Sequence, residues 1–185
     1  TIHCKKFPNS TLLAVSNSKD QKQYILNKCI ENNISNIVIE TADMNDFNIN
    51  QKFDRVISIE MFEHMRNYQK LLKRINNLLF DDGKLFIHIF SHKLIAYPFI
   101  NEGPADWMAR EFFSGGQMPS HNLLLHFQED LIIDKMWRIS GKHYSKTSKY
   151  WLDNMDKNNK SIKEIFNETY GKHNSQKWIQ RWRIF

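Results

Sequence analysis

Two acids and a histidine close a short apolar run at residues 53–65, FDRVISIEMFEHM. Glu60, Glu63 and His64 stand at i, i+3 and i+4, so one helical turn would carry both carboxylates and the imidazole on a single face. Such a trio could do proton-transfer chemistry. Met61 and Phe62, large and apolar between the charged residues, predict a partly desolvated pocket that moves carboxylate and imidazole pKa values into the range useful for proton transfer. The competing reading of the same residues is an exposed first helical turn whose acids answer the positive end of the helix dipole.

The surrounding elements have to deliver this trio. Val56, Ile57 and Ile59 read as a strand buried on both faces, because the run is short, β-branched and entered through Asp54-Arg55. The trio then lies at the carboxyl end of a parallel strand, where open α/β sheets place their ligands. Upstream, residues 11–16 form a strand that ends in the turn and cap residues Ser16-Asn17-Ser18. A helix follows over residues 19–32, then a strand at 37–40 with 42–45 as its exit loop. As bare sequence, Asn17 is an N-cap and Asp43 a turn former. Downstream, apolar positions 71, 72, 75, 78 and 79 make one face of a helix over 67–79, stopped by Asp81-Asp82-Gly83, and residues 84–90 form a fourth strand. This alternation predicts an α/β fold with a Rossmann-like, doubly wound, mostly parallel sheet.

The second half changes character. Residues 91–126 are broken and aromatic, with Trp107, Phe112-Phe113 and Ser114-Gly115-Gly116, and read as a lid over the carboxyl edge of the sheet; a packed surface insertion is the alternative. Residues 131–134 predict a further strand, and helices are expected at 145–158, 162–170 and from 173 to the end. Trp178 and Trp182 share a helix face as core aromatics, and His88 on its apolar strand reads as a satisfied core histidine. The expected organisation is a cofactor-binding core over 1–90, a covering insertion over 91–130 and the remaining elements of the same domain over 131–185.

With 185 residues and 41% hydrophobic content, the chain has one domain's length and the means to bury a core. The formal charge of +6 would permit nucleic-acid binding, but Lys and Arg are scattered without a dense run, so no nucleic-acid partner is expected. Cys4 and Cys29 form no disulfide framework and read as free thiols. No apolar run approaches the roughly 20 residues of a bilayer span and no signal-peptide pattern is present, which makes an intracellular, cytoplasmic protein the default expectation. No metal-ligand spacing stands out. The opening TIHCKKF reads as the end of a helix and the closing WIQRWRIF as a helix still in progress, so a fragment is expected at both ends.

The runs SNSKDQKQYI, ADMNDF, FDRVISIEMFEHMRNY, LLKRINNLL, LFIHIF, FFSGGQMPS, GKHYSKTSKYW and QRWRIF together resemble the S-adenosylmethionine-dependent methyltransferases grouped with cyclopropane-fatty-acid synthases, and within them the branch of plant coclaurine N-methyltransferases. The resemblance implies a class I methyltransferase fold, S-adenosylmethionine as cofactor and a small-molecule amine or lipid as acceptor, and it allows a homodimer. It places Glu60, Glu63 and His64 at the acceptor amine, in contrast to the lipid synthases, which resemble this chain elsewhere but tend to have Gly in place of Glu60. It places Glu63, His88 and Tyr144 where lipid synthases hold a bicarbonate that serves as base. It also places Asn17 and Gln21 at the ribose and methionine parts of the cofactor, Asp43 at the adenine amino group and Met44 against the adenine ring.

The chain departs from this pattern in one respect. Such enzymes bind the cofactor on a glycine-rich loop after their first strand, and here the only glycine pair, Gly115-Gly116, lies in the lid segment. A central strand, that loop and the last strands are therefore expected to lie outside the chain, which alone should neither fold stably nor catalyse. Two other function classes compete. A nucleic-acid amino-methyltransferase would show an Asn/Asp-Pro-Pro-aromatic turn where Glu60-Met61-Phe62-Glu63 stands, and a non-catalytic binding or scaffolding piece would bind no cofactor.

Overall fold

A β-strand and its neighbour can share hydrogen bonds only in register, and among the described residues two such parallel strand pairs form, each in its own unit. The computed structural model describes residues 2–185. One unit ends at Gln51 and the second is Lys52–Phe185.

In the first unit, helix α1 (Ile2–Lys6) precedes strand β1 (Leu12–Ser16), helix α2 (Lys19–Glu31) and strand β2 (Ile37–Thr41). β1 and β2 pair in parallel from Leu12 opposite Ile37 to Ser16 opposite Thr41. Cys4, Cys29 and Ile39 are buried, and both thiols are free. The N-cap of α2 is Ser18 and not Asn17: Ser18 has extended backbone, and its hydroxyl accepts from the Gln21 amide at 3.2 Å. The Ser18 amide in turn donates to the Ser16 hydroxyl at 3.1 Å, which holds Ser18 in the capping geometry and leaves Asn17 exposed.

In the second unit, strand β3 (Phe53–Ile59) runs through a 3₁₀ turn, Phe62–His64, into helix α3 (Tyr68–Leu78), which returns to strand β4 (Leu79–His88) parallel to β3. Asn67 caps α3, its side chain accepting from the Lys70 amide at 2.9 Å. The apolar stripe buries Tyr68, Leu71, Leu72 and Ile75. Asp81-Asp82-Gly83 does not stop this helix. Phe53 pairs with Leu79 and Arg55 with Lys84, so the acids and Gly83 bulge out of β4 within the strand.

β3 is not buried on both faces. Ser58 is 8% exposed, whereas Ile57 and Ile59 are 51% and 62% exposed. Val56 and Ser58 point to one face; Ile57 and Ile59 alternate to the other, which nothing in the unit covers, and their neighbour Phe86 on β4 is exposed there too.

Residues 91–126 form strands β5 (Tyr97–Pro98) and β6 (Gln117–Met118), paired antiparallel, with the short helix α4 (Trp107–Glu111) between them. The strand expected at 131–134 is absent; the stretch is irregular, its Ile133 amide donates to the Gln128 side chain at 3.1 Å instead of to a neighbouring strand, and Ile132 is 84% exposed. Helices α5 (Gly141–Lys157), α6 (Asn159–Tyr170) and α7 (Lys172–Ile184) complete the chain. Trp178 and Trp182 do share a packing face. Both meet Phe112 edge-on, and Arg181 lies over the Trp107 and Trp178 rings while pairing with Glu111 at 3.4 Å.

Candidate functional site

Where β3 ends, Glu60 turns the chain. Its φ of +51° lies in the left-handed region, costly for a residue with a Cβ, and such strain concentrates at ligand sites. Glu60 is held from both sides by β4: its amide donates to the His88 carbonyl at 2.9 Å, and its Oε1 lies 3.0 Å from His88 Nδ1. The side-chain contact has the distance of an ion pair but not the alignment of a hydrogen bond, so the inward oxygen of Glu60 has no bonded partner. The shared helical turn expected for Glu60, Glu63 and His64 is therefore not formed. Only Phe62–His64 is helical, as a 3₁₀ turn, and Glu60 reaches the same place through its backbone twist.

The 3₁₀ turn is anchored by Phe62, which is fully buried edge-on to Tyr68, whose hydroxyl donates to the Phe62 carbonyl at 3.0 Å. That anchor carries the next residue inward. Glu63 is 2% exposed, and its Oε2 has no hydrogen-bond partner. Burial above all, and then the neighbouring Glu60 carboxylate, raise its pKa from 4.5 to about 7, although its own backbone amide works the other way. Tyr144 on α5 is also pushed up, first by burial and then by the charges of Glu60 and Glu63, which sets its phenol in the field of the acid pair. The desolvation expected of this stretch is found at Glu63 itself.

His64 behaves differently from the two acids. It is exposed, its ring stacks on Phe113 at 6.0 Å and 18°, and it bonds to neither carboxyl. His88 is not a satisfied core histidine either: its side chain is 47% exposed and faces Glu60. One contributor escaped the sequence reading. A Cβ built on Gly116 would overlap the Glu63 carbonyl oxygen, so glycine is required there by close approach to the turn. The SGGQ run was the available signal, but its distant partner Glu63 was not.

The residues considered for the cofactor sit in the first unit. Because Ser16 lies opposite Thr41, Asn17 and the 42–45 loop leave the same end of the β1–β2 pair. Asn17 is exposed there; the Gln21 side-chain oxygen lies 2.6 Å from the Ser16 hydroxyl. Asp43 forms its turn as expected, with Oδ1 accepting from the Asn45 amide at 2.7 Å and from the Asn45 side chain at 2.8 Å. That use leaves Oδ2 for an exocyclic amine, and half-buried Met44 follows it as an apolar surface for a ring. The donor and acceptor set at this edge fits the adenosine part of a nucleoside cofactor. Among the described residues, no group of three or more His, Cys, Asp or Glu is placed to hold a metal ion, and no helix is long and apolar enough to cross a membrane.

Comparison with known proteins adds to this geometry. The family model described as mycolic acid cyclopropane synthetase matches residues 5–179. The (S)-coclaurine N-methyltransferase of Papaver somniferum is 38% identical over 183 residues, covering 97% of this chain and 52% of that protein. The same-named enzyme of Thalictrum flavum subsp. glaucum is 36% identical over 185 residues, covering 98% and 51%. A crystal structure of coclaurine N-methyltransferase bound to N-methylheliamine and SAH matches with a TM-score of 0.89 at 34% identity, covering 98% of this chain and 55% of that one. The chain thus spans about half the length of the curated relatives it matches.

Proposed function

From the premise that the chain belongs to the mycolic acid cyclopropane synthetase family of S-adenosylmethionine-dependent methyltransferases, with their class I fold, we propose that the protein carrying it methylates the nitrogen of a small amine. The observation that carries the reading is the buried Glu63 carboxyl, held near neutrality beside Glu60 at the carboxyl end of β3.

An aliphatic amine reaches the site as an ammonium ion and cannot attack until it loses a proton. Glu60, whose carboxylate neighbours Glu63 and lies 3.0 Å from His88, supplies the charge that holds the ammonium. Glu63, with a pKa of about 7, is matched to take the proton at physiological pH. His64, exposed at the outer end of the same turn and stacked on Phe113, orients the acceptor from that side. S-adenosylmethionine, when bound, supplies an electrophilic methyl on a sulfonium. Asn17 and Gln21 would hold its ribose and methionine portions, Asp43 its adenine amino group and Met44 the face of its adenine ring.

The lipid-methylating alternative calls for an anion among Glu63, His88 and Tyr144. Two carboxyls on one side of that space favour a cation over an anion, and Glu60 already faces His88 at 3.0 Å. The test is methyl transfer from labelled S-adenosylmethionine by the full-length protein to a panel of secondary and tertiary amines and a panel of unsaturated phospholipids. Label in amines supports the proposal; label in lipid alone overturns it.

A further inference from the structure

Residues 91–126 are fastened to the turn that bears Glu63 by side chains reaching in both directions. The Arg66 guanidinium donates from Nε to the Gly116 carbonyl at 3.2 Å and from Nη2 to the Phe99 carbonyl at 3.0 Å. The Gln117 side-chain amide donates back to the Met65 carbonyl at 3.2 Å. Between these bonds Gly116 presses its bare Cα against the Glu63 carbonyl, with no room for a side chain. Phe113, three residues earlier, covers the His64 ring and meets Phe90 and Phe99.

We propose that Arg66 is a positioning residue for Glu63: by bridging two carbonyls of the 91–126 segment it locks that segment onto the turn, so that closing the segment and drying the acid are one event. Only a planar fork with donors on separate nitrogens can span the Gly116 and Phe99 carbonyls at once; an ammonium is a compact point charge. Arg66 is itself exposed, and it meets the 91–126 segment through these two bonds. With the lock open, water reaches Glu63 and its carboxyl falls back towards the ordinary range, because burial is the leading cause of its elevation. The groups facing Glu63 are Glu60 at the end of β3, Tyr68 on α3 and Tyr144 on α5, with His88 of β4 lying against Glu60 and His64 and Arg66 following on its own turn. None of them carries a charge that the substitutions below remove, apart from Arg66 itself.

This inference rests on Glu63 being the proton acceptor, and the test separates the two. The measurement is the pH profile of kcat/KM for the full-length protein, with labelled S-adenosylmethionine and the amine chosen by the acceptor panel. For Arg66→Ala the acid limb is expected to move down by about one pH unit and kcat to fall about tenfold, with KM for S-adenosylmethionine unchanged. Arg66→Lys keeps the charge without the fork and should retain most of the shift, which distinguishes loss of the bridge from loss of charge. Gln117→Ala removes the returning bonds to the Met65 and Arg66 carbonyls and the contact with Tyr68 while leaving the Arg66 fork in place, and should shift the limb less, in the same direction; it also serves where Arg66→Ala does not fold. An acid limb unmoved or raised in these variants overturns the proposal, whatever happens to the rate. If Glu63→Gln itself keeps wild-type activity and profile, the failure belongs to the reading of Glu63 as base.

Discussion

Replacing Glu63 by glutamine should stabilise the protein at alkaline pH while removing its chemistry. The side chain is 2% exposed and its carboxyl titrates at about 7 against an ordinary 4.5, so ionising it in the folded state is costly. A folded pKa above the unfolded one contributes stability that is full below about pH 4.5 and lost as pH rises through about 7. At roughly 1.4 kcal/mol per pKa unit, the interval corresponds to about 3 kcal/mol lost between those limits. Glutamine keeps the shape, carries no charge at any pH, and its NH₂ can donate to the neighbouring Glu60 carboxylate. Denaturant unfolding of wild type and Glu63→Gln from pH 4 to 9 gives the comparison directly. The two should converge in acid, and the variant should be the more stable by up to about 3 kcal/mol above pH 8. Parallel pH dependences in the two proteins would refute the reasoning, because Glu63 would then be no more costly to ionise folded than unfolded.

Other expectations follow from neighbouring residues. Glu60→Gly places a residue at ease in a backbone with φ of +51°, so unfolding should become harder by about 1 kcal/mol while amine methylation falls at least a hundredfold; a destabilised variant would show that the turn is not strained. Asp43→Ala removes both the loop's own acceptor and the free oxygen offered to an amine, and calorimetry with S-adenosylmethionine on the full-length protein should show about tenfold weaker binding with amine KM unchanged. Ile75→Ala, at a position 2% exposed on the buried face of α3, should cost about 2–5 kcal/mol by chemical unfolding.

The elements around the site were legible because their signals are local. The periodicity of α3, the strand at Leu12–Ser16 and the Asp43 turn each follow from a few adjacent residues, and each formed as read. What the sequence hid depends on what packs against what. Ile57 and Ile59 look like core to any pattern rule, and their exposure follows only from the absence of a layer over that face in the unit. The i, i+3, i+4 spacing brought Glu60 and Glu63 to one place by a different route from the one it suggested, a left-handed residue followed by a 3₁₀ turn. Asp81-Asp82-Gly83, a stop signal by composition, became a bulge because β4 had already begun pairing at Leu79. His88 read as apolar-strand core since nothing in its neighbourhood reveals that Glu60 would fold back to face it.

Burial beside the Glu60 carboxylate holds the Glu63 carboxyl at a pKa of about 7 until a cation arrives. Titration of the Glu63 carboxyl by ¹³C NMR in glutamate-labelled full-length protein, with and without a saturating secondary amine, tests it directly. The midpoint should stand at about 7 and fall by at least one unit when the amine binds. A midpoint near 4.5, or one that the amine leaves in place, would contradict it.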